Sequence, residues 1–304
     1  MNYIDQLKTF LDQDCALPKL VVIYGPTASG KTQMSIDVAK FLKSEIISTD
    51  SRQIFQGMDI WTGKISREEM QGIAHHMIDI MTPDQNYSVW EFKKQSESII
   101  QGMYQAWKIP ILCWGTGLYI DSLIYDFDIP EIPADESLRT QLENEARQFW
   151  NDFIFQKLVD LDPDYDRSLH PNNVRYVIRA LEVKMLTGKS KSSFKQEKKL
   201  KYDVLFLSPE GPDDMYTKNY REWLYGRINT RVEQMFEQGL IEENQKLREA
   251  WYKKIDFGMK SIWYSEVQEY LDENISLEQT LAQVQQNSRN YAKRQLTWFR
   301  KYRL

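Results

Sequence analysis

Gly25-Pro26-Thr27-Ala28-Ser29-Gly30-Lys31-Thr32 fits G-x-x-x-x-G-K-[ST] in full. Such a loop gathers backbone N–H groups and the N-terminus of the following helix around phosphate oxygens, while Lys31 adds a charge and the Thr32 hydroxyl can ligate Mg²⁺. It is a signature of ATP-binding and other nucleotide-binding proteins, yet it does not say whose phosphates it holds. In P-loop NTPases a later apolar strand ends in an Asp that helps to hold Mg²⁺. Here the apolar run Ile111-Leu112-Cys113-Trp114 leads straight into Gly115-Thr116-Gly117, without that acid. An acid follows a different run instead, in Ser48-Thr49-Asp50-Ser51. Strand ends on this side of an open α/β sheet face the ligand crevice. Asp50 therefore has three readings: a water-mediated Mg²⁺ ligand, a structural cap, or a proton acceptor for a nucleophile near the phosphates.

The elements that must position these residues are legible in outline. KLVVIY at 19–24 is a short β-branched run ending at the Gly-rich turn, and MSIDVAKFLK after it has helical spacing. EIIST at 45–49, IPILCW at 109–114 and DVLFLS at 203–208 are further strand candidates, and YSVWEFKKQSESIIQGMYQAWK is a long amphipathic helix. The fold class predicted is α/β, a P-loop NTPase-like parallel sheet flanked by helices. DIPEIPADESLR reads as a stiff connector before a helix starting near Asp135. Residues 130–200 are thus predicted to form an inserted all-helical subdomain. Its second helix ends at Gly188, before a lysine-rich tail, KSKSSFKQEKKLK. Residues 1–129 and 201–304 then form the core, helical after the fourth strand, with Ser276 and Gln279 as a capping pair.

The 304 residues carry a net charge of −5, which argues against a uniformly basic protein, but Arg289 to Leu304 hold six Lys or Arg and no acid. Cys15 and Cys113 read as buried free thiols in a reducing compartment. The first residues lack the pattern of a signal peptide, and no apolar stretch approaches membrane-helix length. A cytoplasmic protein with no membrane partner is expected, with a monomer as the default.

The motifs GPTASGKT, STDSRQIFQGMDIWTGK, HHMIDI, YSVWEF, WGTGLYI, HPNNVRYVIRALEV, RINTRVEQMFEQGLIEE and AKRQLTWFRK occur in this order. Together they resemble the tRNA dimethylallyltransferase family from about residue 20 to 302. The last motif points to the tRNA enzyme over adenylate-prenylating relatives. The resemblance implies that the loop from Gly25 to Thr32 binds the diphosphate of dimethylallyl diphosphate, with Mg²⁺ on Thr32. The C5 group then passes to N6 of the adenine 3′ of the anticodon in tRNA. No γ-phosphate is cleaved, so the missing strand-end acid is not required.

By the same resemblance Asp50 is the general base, with Thr27 beside it. Ser51, Arg52 and Gln53 contact the target nucleotide, as does Thr116. Arg231 reaches the diphosphate with Arg227 assisting, and Arg175 and Arg179 contact tRNA from the insertion, which clasps the anticodon stem. Read without the family, Arg52 and Gln53 suit a solvated loop, and each arginine pair at i, i+4 suits a solvated helix face. Trp298 and Phe299 read as core anchors. His75 and His76 read as structural, with no acid or Cys cluster beside them to make a metal site.

Two departures from the family pattern stand out: Trp114 where Gly is usual, and Ile262-Trp263-Tyr264-Ser265-Glu266 in place of a late Gly-Tyr-basic-acid segment. A C-terminal zinc finger found in some eukaryotic members is missing, so a bacterial-type member is expected. The rival readings are an adenylate dimethylallyltransferase using free AMP or ATP, a small-molecule kinase, and an RNA-binding protein with a silent loop.

Overall fold

The computed structural model describes residues 2–302 except 114, 133–134, 164, 166–168, 195, 260 and 262–263. Helix α1 (Tyr3–Asp12) precedes strand β1 (Lys19–Ile23), the phosphate loop and α2 (Lys31–Leu42). Strands β2 (Ile46–Ser48) and β3 (His75–His76), helix α3 (Val89–Gln105), β4 (Ile111–Cys113) and α4 (Gly117–Ile124) follow. Then come β5 (Tyr125–Phe127), α5 (Glu136–Leu161), α6 (Val174–Thr187), β6 (Gln196–Leu200) and β7 (Asp203–Leu207). Helices α7 (Lys218–Glu237), α8 (Leu240–Glu249), α9 (Tyr264–Leu271) and α10 (Leu277–Phe299) complete the order.

The main sheet is parallel, in the order β3-β2-β4-β1-β7. Val21 faces Ile111 on one side of β1 and Leu205 on the other. Parallel strands are covered on both faces, and β1, β2 and β4 are accordingly buried throughout apart from Lys19 at the entry, and apolar apart from Lys19 and Ser48. Leu7, Phe10, Ile36, Val38, Ile46 and Ile111 belong to one packed core. All strands run the same way, so the exits of β1, β2 and β4 lie on one edge, and those exits carry Gly25, Thr49-Asp50 and Gly115.

The four strands foreseen are present, each trimmed by one to three residues. The His75-His76 pair adds a short edge strand beside β2, and the His76 Nε2 lies 2.6 Å from Glu45 Oε2. The expected helix start is met by Asp135, whose Oδ1 accepts from Leu138 N at 2.9 Å, and the helix stop by left-handed Gly188. Ser276 and Gln279 form the expected capping box. Three expectations are corrected. Cys15 is exposed and only Cys113 is buried. The insertion is not purely helical, because part of the lysine-rich stretch pairs as β6 with β5 in a two-stranded ribbon. Trp298 is 39% exposed, whereas Phe299 is fully buried as foreseen.

The chain divides into two compact units: Met1–Tyr87, Lys93–Ile124 and Leu200–Leu304 in one, and Ser88–Phe92 with Tyr125–Lys199 in the other. The smaller unit is built on α5 and α6, packed through Leu142, Ile154, Leu158, Val177, Ile178 and Leu181. Helix α5 is broken at Trp150, where the backbone turns to φ 72. Glu182, fully buried, is the charged centre of this unit. It accepts from Arg139 Nε and Nη2, both at 2.9 Å, from Asp135 N at 2.9 Å and from Arg179 Nη1. Burial alone raises a carboxyl pKa, but the two guanidinium groups and the Asp135 amide outweigh it and hold Glu182 below its ordinary value. No helix among the described residues is long and apolar enough to cross a membrane.

A buried carboxylate held by two arginines is costly to disturb from one side. Glu182→Gln is expected to destabilise the smaller unit by about 3 kcal/mol at pH 7. Because the folded-state pKa is depressed, this contribution is fully present above the unfolded carboxyl value and is lost as pH falls through the folded one. Denaturant melts at pH 7 and below pH 4 check it: the gap between variant and wild type should close in acid.

Candidate active site

Gly25 and Gly30 have φ of 150° and 102°, and Ala28 adopts φ 62° despite its side chain. These turns wrap the chain around the start of α2, so successive amides face one concavity. Lys31 is buried there and its Nζ donates to Pro26 O at 2.7 Å. The Lys31 pKa is lowered to about 8, chiefly by burial and also by the charge of Arg231, while Cys113 and Asp50 oppose the shift.

The exits of β2 and β4 are laced together beside the loop. Thr49 donates through both N and Oγ1 to Cys113 O, at 2.8 and 2.9 Å, and Thr116 N returns a bond to Thr49 O at 3.1 Å. The Thr116 hydroxyl accepts from Ser51 N at 3.0 Å and lies 3.3 Å from the Ser51 hydroxyl. Asp50, between these anchors, accepts from Arg52 N at 2.9 Å through Oδ1. Burial raises its pKa; the Arg52 and Gln53 amides and the charges of Lys31 and Arg52 only partly counter this. A carboxylate in such a setting is a stronger base than one in water.

The arginines of α7 come over the loop from the other side. Arg227 Nε donates to Ala28 O at 2.8 Å and stacks 5.0 Å from the Trp223 ring. Arg231 Nη1 donates to Thr27 Oγ1 at 3.3 Å. The two do share a face, and that face is turned to the phosphate loop. The segment before β3 seats Arg231. Gly63 has φ 53, and a Cβ there would fall 1.6 Å from Arg231 Nη2. This segment is pinned in turn by Glu243 of α8, whose carboxylate accepts from the amides of Asp59, Ile60 and Trp61 at 2.9, 2.8 and 3.4 Å.

The phosphate-loop residues Thr27, Ala28, Gly30, Lys31 and Thr32 line one cavity of about 920 Å³ together with Asp50, Ser51, Arg52, Gln53, Thr116, Arg227 and Arg231. Three site expectations are modified. Gln53 does not present a free amide edge: it is 1% exposed, accepts from Ser48 Oγ at 3.0 Å and donates to Gly63 O at 3.4 Å. Arg179 is not a freely presented partner of Arg175, because it is tied to Glu182, whereas Arg175 is exposed. Arg52 is half-buried rather than solvated, with Nη1 3.4 Å from Phe257 O. Trp114, Ile262 and Trp263 lie outside the described residues. Of the departing segment, Tyr264 is fully buried and donates to Glu243 Oε1 at 2.8 Å.

The sequence reading missed the wall made by α10. Ser288, Tyr291, Gln295 and Trp298 all line the cavity. Their spacing of three, four and three is a single helical face, which is the signal that would have found them. The arrangement can hold a polyanion against Lys31, Arg227, Arg231 and the loop amides, and can remove a proton at Asp50 from a group brought alongside.

Comparison with known proteins places the chain among relatives of one family. The family described as IPP transferase matches residues 53–302, and the Isopentenyl transferase family matches residues 18–83. The tRNA dimethylallyltransferase of Alkaliphilus oremlandii is 45% identical over 286 residues, covering 93% of this chain and 89% of the relative. That of Thermoanaerobacter sp. (strain X514) is 41% identical over the same shares. Among solved structures, the tRNA delta(2)-isopentenylpyrophosphate transferase of Staphylococcus epidermidis is 42% identical with a TM-score of 0.65, over 93% of this chain and 90% of that one. A eukaryotic dimethylallyltransferase acting on tRNA gives 30% identity and a TM-score of 0.77, over 93% and 70%. With a family match over most of its length and relatives above 40% identity, this chain belongs to the tRNA dimethylallyltransferase family.

Proposed function

We propose that this protein transfers the dimethylallyl group of dimethylallyl diphosphate to N6 of the adenine 3′ of the anticodon in tRNA. The observation that carries the reading is the meeting of a phosphate loop, two arginines and the Asp50 carboxylate in one cavity of about 920 Å³. In the reaction the allylic carbon–oxygen bond breaks, the electron pair leaves with diphosphate, a carbon–nitrogen bond forms at N6, and the N6 proton goes to Asp50. Lys31, Arg227, Arg231 and the loop amides would hold the departing charge, which grows most in the transition state. Thr27, whose hydroxyl accepts from Arg231, would orient substrate or base from beside Asp50.

Mg²⁺ fits this site as a companion of the diphosphate. Thr32 lines the cavity, and the Ser29 hydroxyl is buried in the loop without a partner. No group of three or more His, Cys, Asp or Glu suited to a metal occurs among the described residues. The ion would therefore be held by Thr32 and the phosphates, and would supply charge neutralisation on the leaving group. The adenine must leave its stack to reach a cavity of this kind, with Ser51, Arg52 and Thr116 on its side. In the smaller unit, exposed Arg175 suits a tRNA phosphate, which positions without reading sequence. Action as a monomer in the cytoplasm accords with a tRNA substrate.

The first test offers labelled dimethylallyl diphosphate and Mg²⁺ with an anticodon stem-loop, with free AMP, or with no acceptor. Label on the stem-loop supports the proposal; label on AMP alone, or none, refutes it. Asp50→Ala should lower kcat by about 10² to 10⁴ with stem-loop affinity kept, as fluorescence titration would report. Gly63→Ala should raise KM for the diphosphate by about 10- to 100-fold by displacing Arg231. In the free enzyme, kcat/KM for the diphosphate should climb as Asp50 ionises and fall above pH about 8 as Lys31 loses its proton. A profile flat to pH 9.5 would contradict the role of Lys31.

A further inference from the structure

Gln295 of α10 joins two loops that carry opposite halves of the site. Its Oε1 accepts from Thr27 N at 2.8 Å, and its Nε2 donates to Gly115 O at 3.1 Å. The side chain is 5% exposed, so both bonds are made largely out of water, where an amide that satisfies donor and acceptor together is strongly fixed. Gly115 is shaped for it: a Cβ there would lie 2.2 Å from Nε2. Each bonded group leads directly to chemistry. Thr27 belongs to the phosphate loop and takes Arg231 on its hydroxyl. Gly115 precedes Thr116, whose hydroxyl holds the amide of Ser51, next to Asp50.

We infer that Gln295 is a positioning residue that sets the distance between the diphosphate cradle and the base, and so aligns the prenyl carbon with the attacking nitrogen. The inference rests on the prenyl-transfer reading above. One amide with a donor end and an acceptor end fits the task because the loops offer it one N–H and one C=O. A displacement on the order of 1 Å between reacting groups can cost about 10²-fold in rate without a loss of binding.

The consequence is a split between turnover and affinity. Gln295→Met keeps the length and removes both bonds; kcat should fall about 10- to 100-fold, while inorganic pyrophosphate and the stem-loop bind within about threefold of wild type. Gln295→Glu supplies the rescue. A carboxylate can accept from Thr27 N but repels Gly115 O, whereas a protonated carboxyl makes both bonds. Its activity relative to wild type should therefore recover as pH falls from 8 to 5. Taking the ratio cancels the titrations of Lys31 and Asp50, which both proteins share, while the guanidinium groups of Arg52, Arg227, Arg231 and Arg294 around the cavity stay charged across this range.

An undiminished kcat in the Met variant overturns the inference. So does parallel loss of both affinities and thermal stability with no acid recovery in the Glu variant, which is the behaviour of a purely structural residue. Wild-type protein assayed alongside separates the two readings: absence of transfer by the wild type counts against prenyl transfer itself. In that case amide exchange at Thr27 decides the clamp, faster exchange in the Met variant supporting it and unchanged exchange refuting it.

Discussion

Two cations taken out of water beside the Asp50 carboxylate govern the design of this protein. Lys31 is buried in the phosphate loop, and burial also lowers the Arg231 pKa. Isolated, such charges would cost several kcal/mol each. Pro26 O, the Thr27 hydroxyl and the nearby charge of Asp50 offset part of that cost. What remains is a standing demand for negative charge, one that the proposed diphosphate would meet. The empty-handed cost is also why the surrounding backbone must be held so firmly, since a loop free to relax would let water in to solvate the cations instead.

The holding is distributed over elements far apart in the chain. Parallel strands bring three exits to one edge, and hydrogen bonds among Thr49, Cys113, Thr116 and Ser51 fix two of them to each other. Glu243 steadies the segment that seats Arg231, and the buried Tyr264 steadies Glu243. Around the reacting groups, then, lies a second set of contacts whose members touch no phosphate. Buried polar networks of this type reward complete satisfaction and penalise any single missing partner.

Local signals carried the fold and singled out Lys31 and Asp50, which line one cavity. Strand, Gly-rich turn and helix around Lys31 are contiguous, and Asp50 stands two residues past the short strand β2, so both are legible one segment at a time. The contacts that were not legible are those whose meaning depends on a distant partner. Thr27 and Gln295 stand 268 positions apart, and nothing in the spacing around either announces the other. Arg175 and Arg179 look equivalent by spacing, yet only the buried Glu182 one turn on decides that Arg179 is spoken for. Gln53 follows the same logic, its amide consumed by Ser48 and Gly63. Trp298 was misread for a related reason: on a helix, the face against a cavity and the face against a core have the same period.

The pairing of residue 19 with residue 203 across β1 and β7 also bears on how the chain comes to be made. One edge of the central strand stays without its neighbour until the whole smaller unit has been synthesised. At about 5–20 residues per second that is a wait of roughly 10 to 40 seconds on a ribosome. An apolar strand edge open for so long is a template for wrong pairing. The smaller unit, with its own core and its own charged centre, can fold within that interval and so shorten the effective loop that β7 must close. The last wall of the cavity arrives later still, with α10, so a nascent chain holds a sheet before it holds a catalyst.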